Sequence, residues 1–335
     1  MRVKVFMMSA GLNSERDVLR KMHDGIYNDL IPSSKRELRY IRGLNKSKGR
    51  GTGVEYDYGE KYSKCDLSVM FGSWKPARSN IHHVIRSAVV EKSKSFICIE
   101  TPLLGRTFDT HQHYRVGING FLNRAAIWGP DVDHKGDRLA KLGYHYQGWK
   151  QNNDGHIVVA MQLGGDASLR NNDMNQWVKD TVGTIRSYTD RPIQIRTHPA
   201  ISDKGWSDYD ELFRFFMFNN LKNISWTNGR VMPWEQQLSN AYCVVSYTSG
   251  LSIDAVAQGV PVIACDEGNF AWNVGERKLE NIENLNLATE PEVQQWLNNL
   301  AYCQWSPEEM ESGECWAHLK SSVEEALLDV ETEDD

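Results

Sequence analysis

The chain has 335 residues, of which 40% are hydrophobic and 24% charged, a balance typical of a globular protein with room for two domains. No apolar run approaches the roughly 18 residues of a membrane-spanning helix, and the amino terminus lacks the apolar region of a signal peptide. Six cysteines without a C-x-x-C pair favour reduced thiols over a disulfide framework or structural zinc. We therefore expect a cytoplasmic protein without a membrane span.

The formal net charge of −6 is unevenly distributed along the chain. Residues 33–53 carry seven Lys/Arg and one Glu, whereas residues 308–335 carry eleven Asp/Glu and one Lys. A basic, glycine-rich segment is a candidate contact for a polyanion. The plainer interpretation is a solvated loop that is merely basic.

The first part of the chain alternates predicted strands and helices. Residues 1–11 form a predicted strand with a glycine turn, and helical periodicity runs from Leu12 to about Leu30. Strands are predicted over Asp66–Gly72 and Ser95–Glu100, with a helix over Ile81–Lys92 between them. Strands separated by helices indicate a parallel sheet.

A second α/β pattern begins after the polar residues 147–155, which are the best candidate for a linker. Residues 101–149 have weak periodicity and are predicted as loops. The predicted elements that follow are strands at His156–Gln162, Pro192–Arg196 and near Ile224, and helices at 175–189, 208–220, 233–240, 290–300 and 317–328. The sequence therefore predicts the α/β class, with two Rossmann-like doubly wound domains that face a central cleft. The predicted bounds are residues 1–150, residues 151–316, and residues 317–335 as a closing helix with an acidic tail.

The second domain is organised around residues 247–264 (YTSGLSIDAVAQGVPVIA). A buried strand ends before this stretch, Thr248, Ser249 and Gly250 supply a polar turn, and a short helix and another strand follow. The turn offers backbone N–H groups, hydroxyls and the positive end of a helix dipole, so it suits a phosphate. The alternative is one ordinary turn of a doubly wound fold.

Three turns of the second domain each follow a predicted parallel strand, so they are expected at one edge of the sheet. The first has paired glycines that let the backbone approach a ligand, the second contains Arg196 and His198, and the third is the Ser249 turn. Together they form an anion site suited to a diphosphate. The residues assigned to it are Gln162, Gly164, Gly165, Asp166, Arg196, His198, Thr248, Ser249, Gly250 and Asp254. Each group has a plainer reading: a simple glycine turn, a capping histidine, or an arginine in a surface pair.

These motifs resemble those of a known enzyme family. Gln162-x-x-Gly-Asp-Ala-Ser, Arg196-x-His-Pro and Ser249-Gly-x-x-x-Asp-Ala-x-x-x-Gly-x-Pro-Val are similar to the C-terminal half of capsule-polysaccharide glycosyltransferases, and the His-Pro pair and Ser turn to bacterial polysialyltransferases. The resemblance covers about residues 96–275. It implies a two-domain GT-B glycosyltransferase whose second domain binds a nucleotide-sugar, with a UDP-sugar favoured over a CMP-sugar and no further cofactor. It gives His198 and Ser249 contacts to the donor phosphate, and Asp254 a contact to the ribose.

The same resemblance implies an acceptor site and a general base in residues 1–150. Glu100 ends the strand SFICIE, and an acidic residue stands in a similar setting in capsule enzymes and in the phage DNA β-glucosyltransferase. We therefore predict Glu100 as the base, with a structural cap as the alternative and Asp109 as second choice. His111 and His113 are predicted to line the acceptor site, with ordinary loop histidines as the alternative. They lack a carboxylate partner, so no metal is predicted.

The acceptor can be chosen from the charge pattern. A basic loop in the acceptor domain suits phosphates, and an acidic terminus would be repelled by anionic lipid. This favours a 5-hydroxymethylated cytosine in phage DNA, flipped out of the stack. The residues assigned to phosphates are Lys46, Lys48 and Arg50, and those that could receive the base are Trp74, Tyr114 and Trp128.

Other functions stay open at this point. A glycosyltransferase could instead have a capsule or surface glycan as its acceptor. Two other functions are a nucleotide-sugar 2-epimerase and a non-catalytic nucleotide-sugar-binding module. The expected partners are a nucleotide-sugar and DNA, in the host cytoplasm if the protein is phage-encoded. The sequence does not indicate the oligomeric state.

Overall fold

The computed structural model describes residues 1–31, 53–74, 80–105, 112–123, 134–170, 172–200, 206–219 and 221–333. The strands within these ranges are β1 Val3–Phe6, β2 Val54–Asp57, β3 Leu67–Phe71, β4 Ser95–Glu100, β5 Tyr114–Ile118, β6 His156–Ala160, β7 Ile193–Arg196, β8 Ile224–Thr227, β9 Ala241–Ser246, β10 Val262–Ala264 and β11 Gln304–Trp305. The α-helices are α1 Asn13–Leu30, α2 Ile81–Lys92, α3 Asp137–Lys141, α4 Met174–Arg186, α5 Trp206–Phe218, α6 Trp234–Leu238, α7 Leu251–Ala257, α8 Glu290–Ala301, α9 Pro307–Ser312 and α10 Glu314–Glu333.

The chain divides into two compact units. The first unit comprises Met1–Gly129 and Tyr302–Asp335, and the second comprises Pro130–Ala301. The sequence-based boundaries at residues 150 and 316 differ from these. The second unit ends at Ala301 because the chain returns to the first unit after α8, where β11 adds to the first sheet. It begins before residue 150 because His134 and Arg138 bond to Asn299 and Ala301 at the end of the second unit.

The first unit has a six-stranded sheet in the order β11-β5-β4-β3-β1-β2. Strands β2, β1, β3 and β4 are parallel to one another. Strand β5 pairs antiparallel with β4, and β11 pairs antiparallel with β5. Side chains of α1 and of the returning segment complete the core, with Leu19, Met22, Met310, Trp316 and Leu319 all fully buried.

The second unit has a five-stranded sheet in the order β10-β9-β6-β7-β8. Every pair in this sheet is parallel. Its strands are apolar runs such as Ile157–Val159, as expected for strands that are buried on both faces. The predicted fold class, α/β with two Rossmann-like doubly wound sheets, is confirmed.

Each sheet contains one point at which the strand order reverses. In the first sheet the chain runs from β1 to β2 on one side and continues with β3 on the other; in the second it runs from β6 to β7 and β8, and then continues with β9 and β10 on the other side. Open α/β sheets bind ligands at the carboxyl ends of the strands that flank such a reversal. The fold therefore indicates two edges to inspect: the loops after β1 and β3, and the loops after β6 and β9.

In the described ranges, none of the helices combines the length and apolarity that crossing a bilayer requires.

Candidate functional site

The reversal in the second sheet brings together two of the three predicted turns. The loop after β6 and the turn after β9 meet through Gln162, which is only 6% exposed. Its Nε2 donates to Ser168 Oγ at 2.7 Å and to Thr248 Oγ1 at 3.0 Å, and its Oε1 accepts from the Thr248 N–H at 3.0 Å. Both amide protons are used, so Gln162 fixes the two loops to each other.

The paired glycines leave open space above the first loop. Among the described residues, no atom lies within 4 Å of the Cβ position of Gly164 or Gly165, and the positive φ of Gly165, 74°, is a conformation that glycine adopts without strain. Asp166 is occupied as a cap, because its Oδ1 accepts from the N–H and the hydroxyl of Ser168 at 2.8 and 2.6 Å. The backbone here is open to close approach by a ligand.

The turn after β9 presents two adjacent backbone donors. No described residue accepts a hydrogen bond from the N–H of Ser249 or Gly250. The Ser249 hydroxyl accepts from the Leu251 N–H at 3.3 Å, and the Thr248 hydroxyl donates to Ser168 O at 3.2 Å. Asp254 lies one turn into α7 and is 5% exposed. The turn therefore has two adjacent N–H groups without an acceptor among the described residues.

A buried asparagine holds this turn in place. The Nδ2 of Asn269 donates to Ser246 Oγ at 2.8 Å and to Tyr247 O at 3.0 Å, and its Oδ1 accepts from the Ala271 N–H at 3.0 Å. Asn269 is fully buried. Because a buried amide with satisfied partners resists rearrangement, the two open N–H groups have a fixed direction.

Arg196 is placed differently from the sequence-based prediction. Its guanidinium is buried and donates to Gln237 Oε1 at 2.8 Å, to Met232 O at 3.0 Å and to Gly229 O at 3.3 Å. Burial lowers its pKa below the ordinary value. These bonds brace the loop before α6, so Arg196 does not present its charge at the sheet edge.

His198 is half-buried in the turn after β7. Its Nδ1 lies 3.1 Å from the Ala200 N and accepts a hydrogen bond from that N–H. An accepting Nδ1 carries no proton, so the neutral ring has its proton on Nε2. In the neutral His198 ring, Nε2 is therefore the nitrogen that can donate.

A charged cluster that the sequence analysis did not find crosses the same edge. Arg170 follows the β6 loop and pairs with Asp266, which follows β10. Asn172 donates to the Tyr247 hydroxyl, and burial, followed by the charge of Asp266, raises the Tyr247 pKa. The Arg170 side chain is 41% exposed and its φ is 50°, a left-handed conformation uncommon outside glycine. A guanidinium thus spans the carboxyl ends of β6, β9 and β10, where Arg196 was expected to act.

In the first unit, Glu100 lies at the carboxyl end of β4 and is fully engaged. Its Oε1 accepts from the Ser73 N–H at 2.7 Å, and its Oε2 accepts from the Thr101 N–H at 2.9 Å and lies 3.6 Å from Arg115 Nη2. Burial alone raises the pKa of this carboxyl, but Arg115, the two N–H groups and Arg86 outweigh it, so the pKa lies below 4.5. Glu100 is an ionised carboxylate that ties three segments together.

Arg86 completes this network from α2. Its Nε donates to Ser9 O at 2.9 Å and its Nη1 to Ser73 O at 3.2 Å. Gly72 has a φ of 90°, which favours glycine, and a Cβ there would lie 2.3 Å from the guanidinium carbon, so a larger residue would displace Arg86. The loops after β1, β3 and β4 are joined at this edge by two arginines and one carboxylate.

The predicted acceptor residues are only partly described. Trp74 packs edge-on against Phe96 and Phe121, with ring centroids 5.6 and 4.9 Å apart, and Tyr114 is buried on β5. His113 is half-buried beside it. Residues that lie outside the described ranges are Lys46, Lys48, Arg50, Asp109, His111 and Trp128.

A metal site is not formed by the described side chains, since no group of three or more His, Cys, Asp or Glu residues among them is arranged to hold an ion.

No protein-family model matches the chain, and no curated protein matches it. Among solved structures it is similar to the beta Kdo 2,7 transferase of Thermosulfurimonas dismutans KpsC, with 12% identity and a TM-score of 0.47 over 95% of this chain and 99% of that one. The beta Kdo 2,4 transferase of the same KpsC gives 10% identity and a TM-score of 0.44 over 75% and 84% of the two chains. A Methanocaldococcus jannaschii UDP-GlcNAc 2-epimerase in complex with UDP-GlcNAc and UDP gives 12% and 0.33 over 96% and 100%.

Proposed function

We propose that the chain is a glycosyltransferase that takes its sugar from a nucleotide-sugar bound at the carboxyl ends of β6 and β9. The observation that carries this proposal is the pair of open N–H groups of Ser249 and Gly250 at the strand-order reversal, under an open glycine loop. Adjacent backbone donors of this kind suit the phosphates of a nucleotide. The sequence motifs that resemble glycosyltransferases lie in these same loops.

The neighbouring groups take complementary roles in this proposal. The N–H groups bind a phosphate oxygen, the Nε2–H of His198 donates to the leaving phosphate, and Arg170 supplies the positive charge. These groups stabilise the charge that develops when the bond between the sugar and the phosphate breaks. Asp254 is assigned to the ribose, and Gln162, Asn269 and Arg196 keep the loops in position.

We propose a hydroxyl of a surface glycan as the acceptor, ahead of DNA. The DNA hypothesis depends on Lys46, Lys48 and Arg50, which lie outside the described residues, and Trp74 packs against Phe96 and Phe121. The glycan hypothesis depends on the sequence motifs that resemble capsule glycosyltransferases, and residues of these motifs form the candidate site. Two of the solved structures reported above are named as Kdo transferases, and none of the three as a DNA-modifying enzyme.

The test is a nucleotide-release assay with a panel of UDP- and CMP-sugars. Each donor is incubated alone, with bacterial surface oligosaccharides, and with hydroxymethylcytosine-containing DNA. The masses of the products are measured by mass spectrometry. Oligosaccharide-stimulated release with a mass increase of one sugar on the oligosaccharide is the expected result. Release stimulated by DNA would establish the DNA acceptor, and conversion of the donor without release would establish an epimerase. Failure to bind or turn over any donor would refute the proposal.

Arg170→Ala is expected to weaken UDP binding by about 10- to 100-fold. A charge-assisted hydrogen bond contributes about 1.5–3 kcal/mol, and each 1.4 kcal/mol is tenfold in affinity. Isothermal calorimetry measures the change. Arg214→Ala, on the exposed face of α5, is the matched control and should bind UDP like the wild type. Equal affinity of the Arg170 variant would remove the guanidinium from the phosphate site.

His198→Ala is expected to weaken UDP binding as well, by about tenfold, because one donor to a phosphate is lost. His198→Gln should restore most of the affinity, since the glutamine amide can place an N–H near the former position of Nε2. Isothermal calorimetry measures the UDP affinity of both variants. If both bind UDP with wild-type affinity, His198 has only a structural role in its turn.

A further inference from the structure

The arginine assigned to the phosphate already binds a carboxylate of the second unit. Arg170 Nη2 donates to Asp266 Oδ1, and Asp266 is the only described carboxylate within ion-pair distance of Arg170. Arg170 follows the loop after β6 and Asp266 follows β10, so the pair lies at the edge where the proposed function places the nucleotide. A phosphate at this edge and the carboxylate would bind the same cation.

Asp266 is the fixed partner of this ion pair. Its side chain is 15% exposed, and its Oδ1 also accepts from the Gly268 N–H at 2.7 Å, a bond that closes a turn within the loop after β10. The Tyr247 hydroxyl accepts from Asn172 Nδ2 and is a hydrogen-bond partner of the Asp266 carboxylate. These contacts keep the carboxylate in place even when Arg170 leaves it.

Arg170 is the movable partner. Its side chain is 41% exposed, and its described side-chain partners are Asp266 and the Tyr247 hydroxyl, which leave most of its five N–H donors for other acceptors. Its backbone is fixed, with a φ of 50° and a ψ of 44°, and its N–H donates to Ala167 O at 3.2 Å. The long side chain can therefore turn from the carboxylate to a phosphate without a change in the backbone.

The ion pair belongs to the same hydrogen-bonded framework as the Ser249 turn. Tyr247 comes two residues before Ser249, and the backbone oxygen of Asp266 accepts from the Asn269 N–H at 2.9 Å. The Asn269 side chain in turn donates to Tyr247 O at 3.0 Å. The loop that carries the carboxylate is thus tied to the turn that carries the two open N–H groups.

A guanidinium that is already paired attracts a second anion less strongly than a free one. The charge of the carboxylate offsets that of the arginine, and a phosphate has to take over a donor that Asp266 holds. Because the arginine side of the pair is open to solvent, the ion pair is weak enough to be exchanged.

We propose that Asp266 limits the affinity of the nucleotide site by competing with the phosphate for Arg170, an inference that rests on the proposed function. Before the nucleotide binds, the carboxylate holds the guanidinium at the edge of the sheet. The phosphate that binds at the N–H groups of Ser249 and Gly250 then displaces the carboxylate from the guanidinium. Asp266 is a positioning residue, because it acts on the nucleotide through Arg170.

The experiment is a double-mutant cycle on UDP affinity, measured by calorimetry at low ionic strength, with CMP affinity measured in parallel. Asp266→Asn keeps an oxygen that can accept from the Gly268 N–H and removes the charge. We expect this variant to bind UDP about 3- to 10-fold more tightly than the wild type. In the Arg170→Ala background the same substitution should change the affinity less than about twofold, because the cation for which the two anions compete is missing.

Two further variants separate this competition from folding and from a general charge effect. Asp266→Ser should reproduce the gain in affinity, since a serine hydroxyl can also close the turn with Gly268, and it serves as the test if Asp266→Asn does not fold. Asp154→Asn is the matched control. Asp154 is exposed and lies two residues before β6, at the opposite end of the same sheet, so this variant should bind UDP like the wild type.

The outcomes distinguish the inference from the function on which it rests. UDP affinity of Asp266→Asn and Asp266→Ser at or below the wild-type value would overturn the inference and leave the proposed function standing. An equal gain with and without Arg170 would also overturn it, because the carboxylate would then act on the phosphate directly. A wild-type chain that binds neither UDP nor CMP would overturn both.

Discussion

Glu100→Ala is expected to destabilise the first unit by about 1.5–3 kcal/mol, the usual contribution of hydrogen bonds to a charged group. The substitution leaves Arg115 without its carboxylate and orphans the N–H groups of Ser73 and Thr101. Ser73 is half-buried, so an unsatisfied N–H there costs about 1–3 kcal/mol, whereas the N–H of the exposed Thr101 can bond to water. Urea unfolding followed by tryptophan fluorescence measures the loss. Glu91→Ala, an exposed carboxylate on α2, is the matched control and should lie within about 0.5 kcal/mol of the wild type.

The pH dependence of stability provides a second readout for Glu100. Its pKa is lower in the folded chain than its ordinary value of 4.5, so the folded state binds the proton less well than the unfolded state. The contribution of Glu100 to the free energy of unfolding is therefore complete above pH 4.5 and is lost as the pH falls through the folded-state pKa. In Glu100→Gln this part of the acid destabilisation should be missing. If the free energy of unfolding fell equally at acidic pH in both proteins, the contacts assigned to Glu100 would be contradicted.

Glu100→Gln also tests the role that the sequence predicts for this residue. If Glu100 were the general base, Glu100→Gln would retain its fold and lose turnover. The network predicts the opposite: a weakened first unit with residual turnover. Unfolding and turnover measured on this one variant distinguish a base from a carboxylate that positions loops.

Most parallel strands could be predicted because each is a short apolar run that needs no distant partner to be recognised. The parallel edge strand Val54–Asp57 was missed because its sequence, VEYD, is not an apolar run. Leu67–Phe71 and Ser95–Glu100 lie within the predicted ranges, and α1 begins one residue from its predicted start. The antiparallel additions could not be predicted. Residues 114–118 and the two-residue strand Gln304–Trp305 become strands only by pairing with each other and with β4, a contact between segments almost 190 residues apart in the chain. This return is also what moves the domain boundary from residue 316 to Ala301.

The candidate site shows the same division between local and long-range information. The Gly-Gly loop and the Ser249 turn follow their strands in the sequence, so topology alone brings them to one edge. Side-chain direction depends on neighbours that the spacing does not reveal, and for this reason Arg196 turned out to brace the loop before α6. The cation at the edge, Arg170, owes its place to Asp266, a residue 96 positions further along the chain.

Gly259→Ala is expected to destabilise the second unit by at least about 3 kcal/mol. Gly259 follows α7 with a φ of 75°, and an alanine Cβ there would lie 1.9 Å from the backbone oxygen of Gly148. The left-handed conformation alone costs a non-glycine residue about 1–2 kcal/mol. Relief of the collision would also break the bond from the Lys150 N–H to Gly259 O, which is 2.7 Å long. That bond fastens the segment predicted as a linker to the turn between α7 and β10.

The consequence reaches the candidate site, because α7 carries the Ser249 turn at its other end. A displaced α7 would move the two open N–H groups away from their position beside the β6 loop, so UDP affinity should fall together with the unfolding midpoint. Gly183→Ala in α4 is the matched control: its Cβ would meet no atom within 4 Å, and alanine in a helix interior should stabilise by about 0.5–1 kcal/mol. Urea unfolding and UDP calorimetry on both variants provide the test. A Gly259→Ala protein that unfolds like the wild type would show that the contact with Gly148 does not anchor α7. Any change in its UDP affinity would then come from the Ser249 turn itself.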